Sequence, residues 1–183
     1  MPYTRPCTRL LVPGDALVLA ELVRANRAFL APWQPLRGEE YFTDEGQADH
    51  VRKALEKYEL GNSVPRVILD EHDQLVGMIT LQSIIRGFHQ SCTVGYWMAE
   101  SAQGQGLASA ALREATRIAF YDLRLHRVQA ETSPENVKSQ RLLERLGFVK
   151  YGVAEGYVKI AGVWQDDVLY QLLTPDPDLV MAE

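Results

Sequence analysis

The chain has 183 residues, enough for one domain with a sizeable core, and its 46% hydrophobic and 23% charged content is that of an ordinary globular protein. A formal net charge of -5 and a pI near 5.4 argue against a general nucleic-acid binder, which presents a basic surface. No apolar run approaches bilayer-spanning length, so no membrane partner is expected.

The N-terminal stretch Met1–Cys7 lacks the apolar core of a signal peptide. The two cysteines, Cys7 and Cys92, read as reduced thiols in a cytoplasmic protein. Thr8 to Val12 reads as a first strand stopped by Pro13-Gly14. Asp15 then stands where a helix cap belongs, for a helix reaching about Arg27 with Leu17, Ala20, Leu22 and Val23 on its apolar face. Pro32 and Pro35 break the chain around Trp33. A second helix is expected from about Glu45 to Leu60, with Val51, Ala54, Leu55 and Tyr58 on one side and Gly61-Asn62 at its end.

Val64–Leu69, Leu75–Ile85 and Ser91–Met98, separated by polar turns, read as an antiparallel meander. The pattern then changes. A helix from about Leu107 to Tyr121 is followed by a strand, Arg127–Glu131, and a helix from Glu135 to Leu146 that Gly147 ends. Phe148–Val158 and Trp164–Leu173 form a closing hairpin over Ala161-Gly162, and residues from Thr174 onward read as a surface tail. The outline is a single mixed α/β domain over residues 1–183, core about 8–173, with helices packed on its sheet.

The segment Gln103-Gly104-Gln105-Gly106-Leu107-Ala108 lies between a strand and a helix start. Such a turn leaves backbone N–H groups unpaired at the positive end of a helix dipole, which suits a phosphate. Glycines let the ligand approach the backbone without a Cβ in the way. A Walker A loop is excluded, because Gly106 is followed by Leu107-Ala108 and not by Lys-Ser/Thr. A dinucleotide fingerprint fits poorly: Ser109 stands where its third glycine would be, and the turn begins several residues past Met98.

Gln103, Gly106 and Ala108 do fill a Gln/Arg-x-x-Gly-x-Gly/Ala pattern. With Gly95-Tyr96-Trp97-Met98, Asn136-Val137-Lys138-Ser139 and Leu146-Gly147-Phe148, the chain resembles the GCN5-related N-acetyltransferases. Asn26-Arg27-Ala28-Phe29-Leu30-Ala31-Pro32-Trp33, Ile85-Arg86-Gly87-Phe88, Cys92 and the late Tyr157, Gly162, Trp164 and Asp166 resemble the Rim-type branch, which acetylates N-termini of ribosomal proteins. The resemblance runs from about Thr8 to Leu173. It implies a seven-stranded, mostly antiparallel sheet with helices on both faces and a V-shaped gap between two parallel central strands, here Ser91–Met98 and Arg127–Glu131.

It also implies acetyl-CoA as cosubstrate. The pyrophosphate would lie on Gln103, Gly104, Gln105, Gly106, Leu107 and Ala108, and pantetheine along Trp97, Met98 and Ala99. Either Trp97 or Met98 would aim an N–H at the thioester oxygen. Ser139 would hydrogen-bond or protonate the leaving thiolate, and Asn136 would cap its helix and meet the cofactor amide. Glu131, Glu155, Asp166 and Asp167 are candidate bases, with Glu131 first because it ends a core strand at the gap. Cys92, early in its strand, reads as a core thiol more than as an acyl carrier. The four histidines show no ligand spacing, so no metal is expected.

Trp33, Tyr41, Phe42, Tyr157 and Trp164, with Glu39, Glu40, Asp44 and Glu45 nearby, would wall the acceptor site and suit a cationic amine on an apolar stem. Three readings stay open: a protein N-terminal acetyltransferase, most readily one acting on an N-terminal alanine; an acetyltransferase of a small amine; and a CoA-binding regulator without activity. The assembly is open between monomer and homodimer.

Overall fold

The computed structural model describes residues 7–160, 162–176 and 178. Its strands are β1 (Thr8–Leu10), β2 (Val64–Leu69), β3 (Leu75–Ile85), β4 (Ser91–Met98), β5 (Arg127–Thr132), β6 (Val149–Ile160) and β7 (Val163–Leu173). They make one seven-stranded sheet in the order β1-β2-β3-β4-β5-β7-β6. Strands β1 to β4 pair antiparallel, as do β5, β7 and β6. The two halves meet where β4 and β5 run parallel, and that contact is short: Ser91, Cys92 and Thr93 lie opposite Arg127, Val128 and Gln129.

Past Thr93 and Gln129 each strand keeps only its outer partner. Strand β4 stays on β3 as far as Met98 opposite Gly77, and β5 stays on β7 as far as Thr132 opposite Val168. Sheet twist then carries the two central strands apart and opens a wedge between them.

Helices α1 (Ala16–Ala25) and α3 (Asp44–Glu59) lie on one face, with the short helix α2 (Arg27–Leu30) between them in sequence. Their core packs Leu11, Leu19 and Val51 against Val67 and Met78, with Trp97 at its margin. Helices α4 (Leu107–Arg117) and α5 (Val137–Arg145) fill the other face. There Leu107, Leu112 and Leu143 join Ile79, Leu81, Val94, Met98, Val128 and Tyr170. The alternation of side chains along β4 accounts for the split: Cys92, Val94 and Met98 point to one face, Trp97 to the other.

Three expectations are corrected. Asp15 does not cap α1; its carboxylate accepts the Val12 N–H (2.9 Å) and a two-pronged Arg9 guanidinium (2.6 and 2.8 Å). The buried stripe of α1 is Ala16, Leu19, Ala20 and Val23, while Leu17 is exposed. The helix expected to reach Tyr121 is regular only to Arg117 and continues as a π-turn over Ile118–Asp122, which buries Ile118, Ala119 and Phe120 consecutively. The hairpin of β6 and β7 forms as expected; Ala161 of its turn lies outside the described residues, as does much of the tail. Among the described residues no helix is long and apolar enough to cross a membrane.

Candidate active site

The glycine turn sits at the open end of the wedge. Gln103 is extended, and Gly104 and Gly106 both take left-handed backbone, with φ of 77° and 80°. Ala110 is the first residue of the helix whose N–H finds a carbonyl, that of Gly106 at 3.1 Å. The N–H groups of Leu107, Ala108 and Ser109 therefore have no partner among the described residues. A Cβ on either glycine would meet nothing within 4 Å, so space for a ligand lies directly over the turn.

Side chains the sequence reading did not single out hold this cradle. Buried Asn26, at the end of α1, accepts the Glu100 N–H at 2.8 Å and donates to the Leu22 carbonyl at 2.9 Å. From α5, Lys138 donates to Gln103 Oε1 (3.3 Å) and Arg145 to Ser109 Oγ (2.8 Å). Two cations thus flank a row of free N–H groups, which is the electrostatics an oligophosphate needs. Asn26 stood in the quoted Asn-Arg stretch, but its tie to Glu100 spans 74 residues and has no local signature.

The thioester end of the site would lie deeper in the wedge. Asn136 Oδ1 accepts the Ser139 N–H at 3.1 Å and so caps α5. Ser139 Oγ in turn lies 2.8 Å from Tyr96 Oη, joining α5 to β4. Burial raises the Tyr96 hydroxyl above its ordinary pKa, against a smaller lowering from the bond to Ser139, so Tyr96 stays protonated at neutral pH. The parity of β4 was the available signal for Tyr96, since it shares a face with Val94 and Met98.

The backbone of β4 also sorts Trp97, Met98 and Ala99. Ala99 donates its N–H to Val76 at 2.8 Å, and a Cβ on Gly77 would sit 2.3 Å from the Trp97 carbonyl oxygen. Trp97 and Ala99 therefore face β3, and strand alternation turns the Met98 N–H toward the wedge.

On the face away from α4 and α5, Glu131 accepts a hydrogen bond from Tyr157 at 3.0 Å. Asp166 accepts the Gly156 N–H at 2.8 Å, Glu155 is exposed, and Asp167 is buried at 7% exposure. Burial first, and then the nearby Glu131 charge, push the Asp167 carboxyl up to about 6. Cys92 is 1% exposed and burial pushes its thiol up to about 12, so it is not an accessible nucleophile.

Tyr41 and Phe42 turn largely inward to their own loop. Their rings meet edge-on at 5.3 Å, Arg27 lies over Phe42, Arg37 lies over Tyr41, and Gln47 of α3 donates to the Tyr41 carbonyl at 2.7 Å. Trp33, Tyr157 and Trp164 stay exposed.

Comparison with known proteins agrees with this geometry. Residues 7–149 match the Acetyltransferase (GNAT) domain. The chain is 35% identical over 173 residues to the [Ribosomal protein uS5]-alanine N-acetyltransferase of Escherichia coli, covering 94% of this chain and 89% of that one. The ribosomal-protein-S5-alanine acetyltransferase of Vibrio fischeri superposes with a TM-score of 0.87 at 32% identity, over 92% of this chain and 93% of the other. RimJ of Mycobacterium smegmatis, solved with CoA-disulfide, superposes with a TM-score of 0.88 at 27% identity, over 96% and 87%. The chain belongs to the GNAT acetyltransferases and is an acetyl-CoA-dependent N-acetyltransferase.

Proposed function

We propose that the acceptor is the N-terminal amine of a protein, most readily an alanine of a ribosomal protein, and that it attacks acetyl-CoA directly in a ternary complex. The observation that carries this is the open face of β5, β7 and β6. Tyr151 and Tyr157 are exposed there, beside Gln129 and Glu131, and α1 and α3 pack over the β1–β4 half. An extended peptide has room on this surface, whereas a small-amine enzyme needs an enclosed pocket. The uS5-alanine and S5-alanine relatives support the same acceptor. Two buried free cysteines fit a reducing cytoplasmic setting.

In this reading the N–H groups from Gly104 to Ser109, with Lys138 and Arg145 beside them, take the pyrophosphate. The β4 edge facing the wedge takes pantetheine, and the Met98 N–H takes the thioester oxygen as it gains charge. Ser139, held by Tyr96, hydrogen-bonds the departing thiolate. The amine arrives from the opposite face, on the side of Glu131.

Free thiol released from acetyl-CoA is the test. An alanine-initiated peptide should be turned over at least tenfold more efficiently (kcat/KM) than spermidine, and the same peptide already acetylated should release nothing. Faster turnover of spermidine would give the enzyme a small-molecule role. Tight CoA binding with no thiol released for any amine would make it a binding protein.

A further inference from the structure

The carboxylates at the end of β5 form a second half-site. Glu131 pairs with Leu169 across β5 and β7, and Asp167 lies two residues before Leu169 on the same strand. Glu131 and Asp167 therefore project from one face of the sheet as diagonal neighbours, where β5 has left β4. That face is opposite the one on which Ala130, Val168 and Tyr170 join the α4–α5 core.

Asp167 is the anomalous member. It is 7% exposed, yet its carboxyl takes no hydrogen bond and no ion pair among the described residues. Its oxygens are not among the sealed polar atoms, so they can be reached. The groups that face it are Glu131 from β5 and Tyr157 from β6, whose hydroxyl donates to Glu131. No lysine, arginine or histidine pairs with either carboxylate among the described residues. A buried unpaired carboxylate beside a second one is costly unless a cation comes to it. The acceptor of an N-acetyltransferase is such a cation, because a primary amine is largely protonated at neutral pH.

We propose that Glu131 and Asp167 together form the seat of the acceptor ammonium, and that Asp167 takes the proton that frees its lone pair. This rests on the acetyl-transfer reading above and adds the residue that activates the amine. The step balances. The ammonium gives one proton to the Asp167 carboxylate. The neutral nitrogen bonds to the thioester carbon, the carbon–sulfur bond breaks, and the electron pair leaves on sulfur. The second nitrogen proton goes to the thiolate, and Asp167 returns its proton to water. A carboxyl poised near neutrality suits this exchange better than one with an ordinary carboxylate affinity. Glu131, held by the Tyr157 hydroxyl, lies beside the amine throughout.

The experiment uses the full chain with D167N, D167E and E131Q, an alanine-initiated peptide and spermidine as amines, and calorimetry with CoA. D167N should lower kcat for whichever amine the parent accepts by about 100-fold, and leave CoA affinity unchanged. It should also remove the acidic limb of the parent's kcat/KM profile near pH 6. D167E should recover part of the rate. E131Q should raise the amine KM more than it lowers kcat. D167N with parental kcat and an unchanged acidic limb would overturn the proposal, even if the peptide is a good substrate. A parent that acetylates spermidine and ignores the peptide would overturn the protein acceptor alone, and the variants then judge the carboxylate pair on spermidine. A parent that neither binds nor acetylates either amine overturns both.

Discussion

Tyr96 and Ser139 meet at 2.8 Å across the wedge, one from β4 and the other from the first turn of α5. Neither is adjacent to the other in sequence, and the contact exists because α5 is fixed by its Asn136 cap at the height where β4 has lost β5 as a neighbour. A serine hydroxyl is a poor acid by itself. When Tyr96 donates to its oxygen, the serine proton is left to point elsewhere, into the space assigned to the thiolate.

Ser139→Ala should therefore lower kcat by about tenfold to 100-fold with little change in CoA affinity. Tyr96→Phe keeps the ring that packs against the core and removes only the hydroxyl. It should lower kcat by roughly the same factor, and the double variant should cost little more than either alone, because the two act as one unit. Additive losses, measured as thiol release in a double-mutant cycle, would mean that Tyr96 works independently of Ser139.

Gly106 stands at φ 80° with open space above it, so a side chain there strains the backbone and occupies the ligand's volume without touching the fold. Gly106→Val should cost about 1–2 kcal/mol of stability from the left-handed backbone. Its CoA affinity, measured calorimetrically, should fall at least tenfold, which is about 1.4 kcal/mol. Parental affinity would remove the turn from the cofactor site.

Asn26 is a test of support at a distance. Asn26→Ala leaves the Glu100 N–H without its partner and should cost about 1–3 kcal/mol. Because Glu100 opens the segment leading to Gln103, the KM for acetyl-CoA should rise while kcat changes little. Asn26→Asp keeps the acceptor but loses the donor to Leu22, so it should recover part of the affinity. A kcat loss without a KM effect would place Asn26 elsewhere in the mechanism.

Strong local signals made most of this fold legible. Alternation and polar turns marked the meander, and the Asn136 cap and Gly147 stop bracketed α5. The glycine turn of the proposed donor half was legible for the same reason, since its residues are contiguous in sequence. What escaped was non-local. Asp15 looked like a cap and serves Arg9 and Val12 instead, and nothing near Ile118 announces that the helix must widen into a π-turn. Asp167 was one of four candidate carboxylates along the chain; only the register of β5 with β7 puts it beside Glu131.

Gly77 bears on how the thioester strand is placed. A Cβ there would lie 2.3 Å from the Trp97 oxygen and 2.9 Å from Met98 Cα, both backbone atoms that cannot swing aside. Gly77→Ala should push β4 away from β3, cost about 1–3 kcal/mol and lower kcat by moving the Met98 N–H. Gly95→Ala, on the same strand pair, meets only Gln82 Nε2 at 3.7 Å and should stay within about 0.5 kcal/mol of the parent by thermal melting. Equal melting shifts for the two variants would show that the close approach at Gly77 is relieved without moving β4.

Asp167 should also reveal itself in stability alone. Its folded pKa of about 6 lies above the ordinary carboxyl value of 3.8, so the native state binds this proton more tightly than the unfolded chain does. Stability from this group is then fully present below pH 3.8 and is lost as pH rises through 6, the reverse of a salt-bridged aspartate. At pH 7 and above the ionised carboxylate costs the fold on the order of 2 kcal/mol. Asp167→Asn removes that charge, so it should melt higher than the parent at pH 8, with the gap closing as pH falls toward 4. A variant that is more stable yet nearly inactive would mark Asp167 as a group kept against stability for its chemistry. A variant that melts lower at pH 8 would show that the charge is compensated in the fold, and would assign Asp167 a structural role.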